Sequence, residues 1–432
     1  MNTDNVIKSI AIIAPQFPVL SETFIRTEID ALQTCQREVT VFTFQQLATN
    51  LEFHYPVHTI GDIKQENSKH AIRSFKRFVA QLSATNVLRC KRFIDEQQSL
   101  PKRSLWLYSL KLAYQLAQAN IQHVHAHFSQ HTAAHGIAAA KLLGISASFV
   151  GHGHDVNETP FDIATKIKHA DFVVAVCKEM QNKFNALYQG NIKYLHCGVK
   201  TALFKANSHS GLTEQYKGSI SQASAPSLPI KLVFVGRLIE PKGVKYLLKS
   251  LSLLKNSTLT LDIIGNGELI SELKQQTLQL ELTQQVNFLG SKPHSWLVEH
   301  LPSYDCLVAP FCVARSGSVD TGPLVLKEAM AAGLPVITTD IGGCQEIVTL
   351  DTGYIVAQKN SQQLSQALNT FCQLLPQQRA VMGYEARQRV TQHFDSEQQA
   401  RNLCRWIDES AQNSAAPKKV KIHIQETNSQ SR

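Results

Sequence analysis

The chain contains no Cys-x-x-Cys pair, no long apolar run and little charge for its length, and each absence excludes a class of protein. Nine cysteines, among them Cys35, Cys90, Cys177 and Cys344, are scattered and odd in number. Neither a disulfide framework nor a zinc knuckle is indicated, and a reducing compartment is the simplest reading. No stretch approaches the roughly 20 apolar residues that a membrane-spanning helix needs. The apolar segment Ile7 to Ala14 follows a polar start and is too short and weakly flanked for a signal peptide, so it reads as a first strand. A cytoplasmic protein is expected, soluble or peripheral on the inner face of the cytoplasmic membrane.

What is present is a globular composition, 43% hydrophobic and 18% charged over 432 residues, long enough for two domains of about 200 residues each. The net charge of +9 is concentrated: between Lys64 and Lys111 eleven Lys/Arg face three acids. Ile72, Phe75, Phe78, Val79 and Leu82 recur there at helical spacing, as in basic amphipathic helices. Such a surface is attracted to anionic lipid headgroups. The same pattern also describes a solvated charged face on helices that pack into a core. No nucleic-acid-binding motif accompanies the charge, so nucleic acid is not expected as a partner.

Short apolar runs alternate with helical patterns from end to end. Candidate strands are Ile10–Ala14, Val39–Phe44, Val124–Phe128, Ala147–Gly151, Phe172–Val176 and Ile192–Leu195. A second series is Leu232–Val235, Leu259–Ile264, Val286–Leu289, Cys306–Ala309, Val336–Thr338 and Tyr354–Val356. Helical segments between strands imply parallel sheets covered on both faces. The segment Asn207 to Pro229 is rich in Ser, Gly, Gln and Pro, lacks an apolar period and reads as a linker. The expected fold class is therefore α/β, with two Rossmann-like, doubly wound domains facing a cleft. The first covers 1–206, the linker 207–229 and the second domain 230–383. Helices in 384–413 are expected to cross back to the first domain, ahead of a polar, fraying tail at 414–432.

Two strings carry chemistry. In Phe234-Val-Gly236-Arg237-Leu-Ile-Glu-Pro-Lys242-Gly243 a buried strand ends in glycine, two cations follow five residues apart, and a second glycine opens a helix. That arrangement suits an anion, because helix N-termini bind phosphate and Arg237 and Lys242 can neutralise a pyrophosphate from two sides. In Asp320-Thr-Gly322-Pro323-Leu324-Val-Leu-Lys-Glu328 a Gly-Pro pair starts a helix of small and apolar residues that carries Glu328. A carboxylate there needs a partner, and a ribose diol or a neighbouring cation would each serve.

Together these strings resemble the donor-binding half of the retaining glycosyltransferases of family 4, which have the GT-B fold. The resemblance extends to Gly265-Asn266-Gly267, Val286–Gly290, Tyr304-Asp305-Cys306 and Ile341–Glu346. In the first half, Pro15–Phe24, His125-Ala-His127-Phe128 and Gly151-His152-Gly-His154-Asp155 are similar to the colanic-acid and exopolysaccharide branch. The resemblance implies that Arg237 and Lys242 hold the donor pyrophosphate, that Glu328 takes the ribose hydroxyls, and that Gly236, Gly322, Pro323 and Leu324 complete the donor site. Gly265, Asn266 and Gly267 would border the base. The loop bearing Phe17, Ser21, Glu22 and Thr23 would approach phosphate and acceptor from the opposite domain. His127 and His152 would lie near the transferred sugar or serve as core histidines, and core roles are expected for His125, His131 and His135. The family places a second glutamate eight residues before Glu328. Here that position holds Asp320, whose reach is shorter by about 1.5 Å, the length of one carbon–carbon bond.

Many transferases hold a divalent metal with Asp-x-Asp, and this sequence has none. Arg237, Lys242 and helix N-termini would supply the electrostatic stabilisation instead, so no metal and no cofactor is expected. The implied reaction is transfer of a hexose with retention, from a nucleoside-diphosphate sugar (UDP first) to a lipid-linked or oligosaccharide acceptor in surface polysaccharide or lipopolysaccharide assembly. Two alternatives are another GT-B enzyme, such as a sugar-nucleotide epimerase or a phosphorylase, and an inactive nucleotide-sugar-binding subunit marked by Asp320. No lysine motif for the pyridoxal phosphate of phosphorylases is present, and the joint presence of Arg237, Lys242 and Glu328 argues against the inactive subunit.

Overall fold

The computed structural model describes residues 6–19, 22–61, 68–158, 160–205, 229–254 and 259–413. Seven parallel strands form the first sheet: β1 (Ser9–Phe17), β2 (Glu38–Gln46), β3 (Val57–Thr59), β4 (His123–His127), β5 (Ser146–Gly151), β6 (Phe172–Ala175) and β7 (Ile192–Tyr194), in the order 3-2-1-4-5-6-7. Six form the second: β8 (Ile230–Val235), β9 (Leu259–Ile264), β10 (Val286–Gly290), β11 (Cys306–Ala309), β12 (Val336–Thr339) and β13 (Gly353–Val356), in the order 10-9-8-11-12-13. Both orders reverse once, at β1/β4 and at β8/β11. Crevices beyond the carboxyl ends of strands open at such points.

The strands read as near-continuous apolar runs because both faces are covered. Ile10 to Ala14 are all fully buried, as are Leu307 to Ala309. The expected linker at 207–229 lies outside the described residues except for Pro229, as does the expected tail at 414–432. The return to the first sheet comes later than the boundary expected at 384. Helix α15 (Pro376–His393) packs on α12 (Leu324–Ala331) of the second half. The chain crosses over at Phe394–Ser396, where Val199 and Asp395 form a β-bridge. Helix α16 (Ser396–Asn413) then lies along α1 (Thr23–Thr34), contributing Leu403, Cys404 and Ile407 to the first core. There Asp408 accepts a hydrogen bond from Arg37 Nη2 at 2.7 Å and another from the Ile7 backbone N–H at 2.9 Å.

The basic segment forms α2 (Ser68–Gln81), α3 (Ala84–Glu96) and the start of α4 (Lys102–Gln118). Phe78, Cys90 and Phe93 pack inward, while Arg73, Lys76, Arg77, Arg89, Lys91, Arg92, Lys102 and Arg103 are exposed. Ile72, Leu88 and Leu107 are also exposed, at 54%, 65% and 49%. No helix among the described residues is long and apolar enough to cross a membrane.

Candidate active site in the interdomain cleft

The loops that carry Gly236 and Gly265 leave the carboxyl ends of β8 and β9. A Cβ on Gly265, whose φ is +139°, would come within 1.9 Å of the Gly236 carbonyl oxygen. Only glycine lets these two loops touch. Leu238 N–H donates to Asn266 O at 2.9 Å, tying the loops together. Arg237 is exposed on this edge. Its charge partly offsets the burial that raises the Glu22 carboxyl, and it also lowers Glu158, which is held down chiefly by hydrogen bonds from Ser318 and His154. The guanidinium thus faces two carboxylates of the first half.

Lys242 ends the turn before α9 (Val244–Ser252), and its Nζ lies 2.8 Å from Asp320 Oδ2 and 4.9 Å over the Phe311 ring. The shorter acid therefore reaches Lys242 directly. Pro323 caps α12 at its N-terminus, so the helix begins at Leu324, one residue after the proline. Glu328, 7% exposed, projects from α12, and His294 Nε2 stands 3.1 Å from its Oε1. A cavity of about 120 Å³ between the halves is lined by Thr23, Arg26 and Asp30 from α1 together with His294, Leu324 and Glu328. Gly322 sits at the same boundary, with the Val176 carbonyl 3.6 Å from the place its Cβ would occupy.

From the first half, the His152–Asp155 turn approaches the same cleft. A Cβ on Gly153 would fall 2.5 Å from the Val319 carbonyl oxygen of the opposite half, so a side chain there would force the turn or the domains to shift. Asp155 is buried and accepts from the His152 backbone N–H at 2.8 Å and from the Ser129 N–H, which fixes the turn. The His152 ring lies 4.5 Å from that of Phe24, and its Nε2 is 3.3 Å from His127 Nδ1. His127 Nε2 faces Glu28 Oε1 at 3.2 Å, and His125 Nε2 faces the same oxygen at 3.5 Å. Burial would raise the Glu28 carboxyl, but His127 and His125 outweigh it and hold it below the usual range. Burial also pushes His125 down to about 4. His131 and His135 lie apart from this group, beside Phe44, with His135 Nδ1 on the His131 carbonyl at 2.7 Å.

One expected placement needs correction. Phe17 does not face the cleft: β1 runs three residues past Ala14, and the Phe17 ring is 1% exposed against Phe53 and Tyr55. Ser21 lies outside the described residues, whereas Glu22 and Thr23 open α1 at the cleft. Three residues went unread in the sequence: Glu28, His294 and the role of Glu346. Glu346 accepts from Tyr194 OH at 2.5 Å and from the Lys178 N–H at 2.8 Å, clasping the first half, and His196 Nε2 stands 3.3 Å away. Lys327, fully buried, donates to the Cys197 carbonyl at 2.8 Å across the same boundary.

Residues 219–389 match the family described as glycosyl transferases, group 1. The chain carries a group 1 glycosyl transferase domain. Among its relatives is the colanic acid biosynthesis glycosyltransferase WcaL of Escherichia coli, 24% identical over 408 residues, covering 88% of this chain and 95% of the relative. The amylovoran biosynthesis glycosyltransferase AmsK of Erwinia amylovora is 28% identical over 158 residues, 36% of this chain and 39% of the relative. Among solved structures, sucrose-phosphate synthase from Thermosynechococcus elongatus superposes with a TM-score of 0.69 at 17% identity, covering 94% of this chain and all of that one. Anabaena Alr3699/HepE in complex with UDP follows at 0.66 and 17% identity, covering 93% of this chain and 100% of that one. The fold is accordingly GT-B, two Rossmann-like domains across a cleft, as the sequence resemblance implies.

Proposed function

We propose that the chain is a retaining, family 4 glycosyltransferase that moves a hexose from a nucleoside-diphosphate sugar, UDP-linked in the first instance, to a lipid-linked or glycan acceptor in exopolysaccharide or lipopolysaccharide assembly. The observation that carries this reading is the placement of Arg237, Lys242 and Glu328 on the second half at a cleft whose other side presents Glu22 and the His152–Asp155 turn. Lys242 and Arg237 neutralise the leaving pyrophosphate, a preorganised electrostatic term that requires no metal at the phosphates. The ribose hydroxyls replace His294 as partners of Glu328. Asp320 orients Lys242 and borders the sugar, and closure of the halves excludes water from the reacting centre. The names of WcaL and AmsK, proteins of colanic acid and amylovoran biosynthesis, support the polysaccharide setting.

Calorimetry with UDP-, GDP- and ADP-sugars on chelator-treated protein tests the donor site. One nucleotide class should bind, and Lys242→Ala should weaken it about 10- to 100-fold, the effect of losing a hydrogen bond from a charged donor, about 1.5–3 kcal/mol. Absence of binding by every nucleotide sugar, with or without acceptor, would overturn the assignment.

The acceptor side belongs at a membrane surface. The exposed cations of α2 to α4 share those helices with exposed Ile72, Leu88 and Leu107, a combination suited to anionic lipid headgroups, at about 1 kcal/mol per basic residue. Vesicles containing phosphatidylglycerol should sediment the protein at low salt and release it at high salt, and Arg73→Glu with Lys76→Glu should abolish the effect. Indifference to such vesicles would remove the membrane from this reading.

A further inference from the structure

Beneath the cleft, the first half holds a cluster that donor chemistry does not use. His125 and His127 are alternate residues of β4, so their rings leave the same face of the sheet. Glu28 comes down on them from α1. The Nε2 atoms of both histidines converge on one oxygen, Glu28 Oε1, at 3.5 and 3.2 Å, and both rings are only 1% exposed. Yet Glu28 Oε1 and His127 Nε2 are buried and find no hydrogen-bond partner of acceptable geometry. Burying such atoms unsatisfied is costly, and something should meet them.

We propose that Glu28, His125 and His127 bind a divalent zinc-class metal ion. Zinc bonds to imidazole nitrogen at about 2.0–2.1 Å and to carboxylate oxygen at about 2.0–2.2 Å in a tetrahedron, which sets ligand atoms about 3.3 Å apart. The two separations above straddle that value, and all three donor atoms lie within 4.8 Å of one another. Two imidazoles and a carboxylate suit zinc, whereas calcium and magnesium prefer all-oxygen sites. The outer contacts are also of the right kind. Ser148 Oγ stands 2.7 Å from His125 Nδ1, and His152 Nε2 stands 3.3 Å from His127 Nδ1. Each ring thus has its far nitrogen engaged and its near nitrogen turned inward, the arrangement that orients metal-binding histidines. Three protein ligands leave a fourth position for water.

The ion would fasten α1 to β4. The N-terminus of α1 carries Glu22 and Thr23, so this fastening sets the acceptor-side wall of the cleft and leaves the pyrophosphate to Arg237 and Lys242.

The test uses the full chain without an affinity tag, stripped by chelation, reloaded with zinc chloride and dialysed. Elemental analysis should find one zinc per chain. Glu28→Gln and His127→Gln should each reduce retained zinc at least tenfold while keeping the circular dichroism of the parent. His300→Ala, at a half-buried histidine of the second half, should leave it unchanged. Cobalt added to the stripped wild type should produce the intense visible bands of a tetrahedral site, a readout that needs no variant. Failure of the wild type to retain zinc, together with absence of those bands, would overturn the proposal and leave a proton-bridged histidine cluster. Retention that all three variants share would equally overturn it. Donor binding by the stripped protein is a separate readout, so failure here and failure of the donor assignment are distinguishable.

Discussion

At the scale of single residues, the contact between the halves depends on a few buried polar groups, and Glu346 is the most informative of them. Its carboxyl lies below the ordinary value of 4.5: burial would raise it, but His196, Tyr194 and the Lys178 N–H outweigh the effect of burial. A depressed folded-state value means that the carboxylate stabilises the fold above the ordinary value and that this contribution is lost as pH falls through the lower one. Glu346→Gln should therefore be less stable than the parent at pH 7, and the gap should shrink below pH 4.5. Denaturant midpoints at pH 7, 5 and 3.5 check this, and a gap independent of pH would refute it. Residue roles were only partly legible in the sequence. Arg237, Lys242 and Glu328 lie in strings whose spacing is itself informative. Glu28, His294 and Glu346 acquire their partners from chain segments 34 to 168 residues away, and no local pattern announces such meetings. Phe17 was misread for the opposite reason, since a strand that extends past its apolar run carries its last side chain into the core.

At the scale of elements, twelve strands were readable because a buried parallel strand is a short apolar run. The thirteenth, β3, has three residues centred on His58 and lies at the sheet edge, so it leaves no apolar signature. The docking of α16 on α1 was foreseeable only as a return of the C-terminal helices. Its anchor is the Arg37–Asp408 pair, whose side chains are 7% and 23% exposed. Removing one member of a largely buried pair leaves the other charge unmatched, at a cost of about 3 kcal/mol. Asp408→Ala also frees the Ile7 N–H. Unfolding followed by the fluorescence of Trp406, which borders Phe172 on β6, should show an earlier midpoint for this variant, and an unchanged midpoint would show that apolar contacts alone hold α16.

At the scale of the molecule, the described arrangement is closed: the Gly153 turn and the Val319 carbonyl meet with no room for a side chain. Gly153→Ala should hold the halves apart. Its radius of gyration in small-angle scattering should exceed that of the parent when donor is bound, and kcat should fall more than donor affinity, because the donor contacts proposed above sit on the second half. Equal radii for the two proteins with donor bound would mean that the turn yields more readily than the cleft. The doubly wound plan itself was legible from the alternation of strand and helix. The closeness of the two halves was not, because it depends on meetings of distant segments, such as Gly153 against Val319 and Glu346 against Tyr194.

The return of α16 has a consequence for how the chain is made. The first domain is not a contiguous stretch of sequence: its core includes Leu403, Cys404 and Ile407, which the ribosome supplies only after the entire second domain. At roughly 5–20 residues per second, the interval between completion of β7 and arrival of α16 is on the order of 10–40 s. Throughout that interval the nascent first domain exposes the flank of α1 that α16 will cover. A chaperone that captures apolar surface would find it there, and the last helix to be synthesised is the one that releases the first domain from such custody.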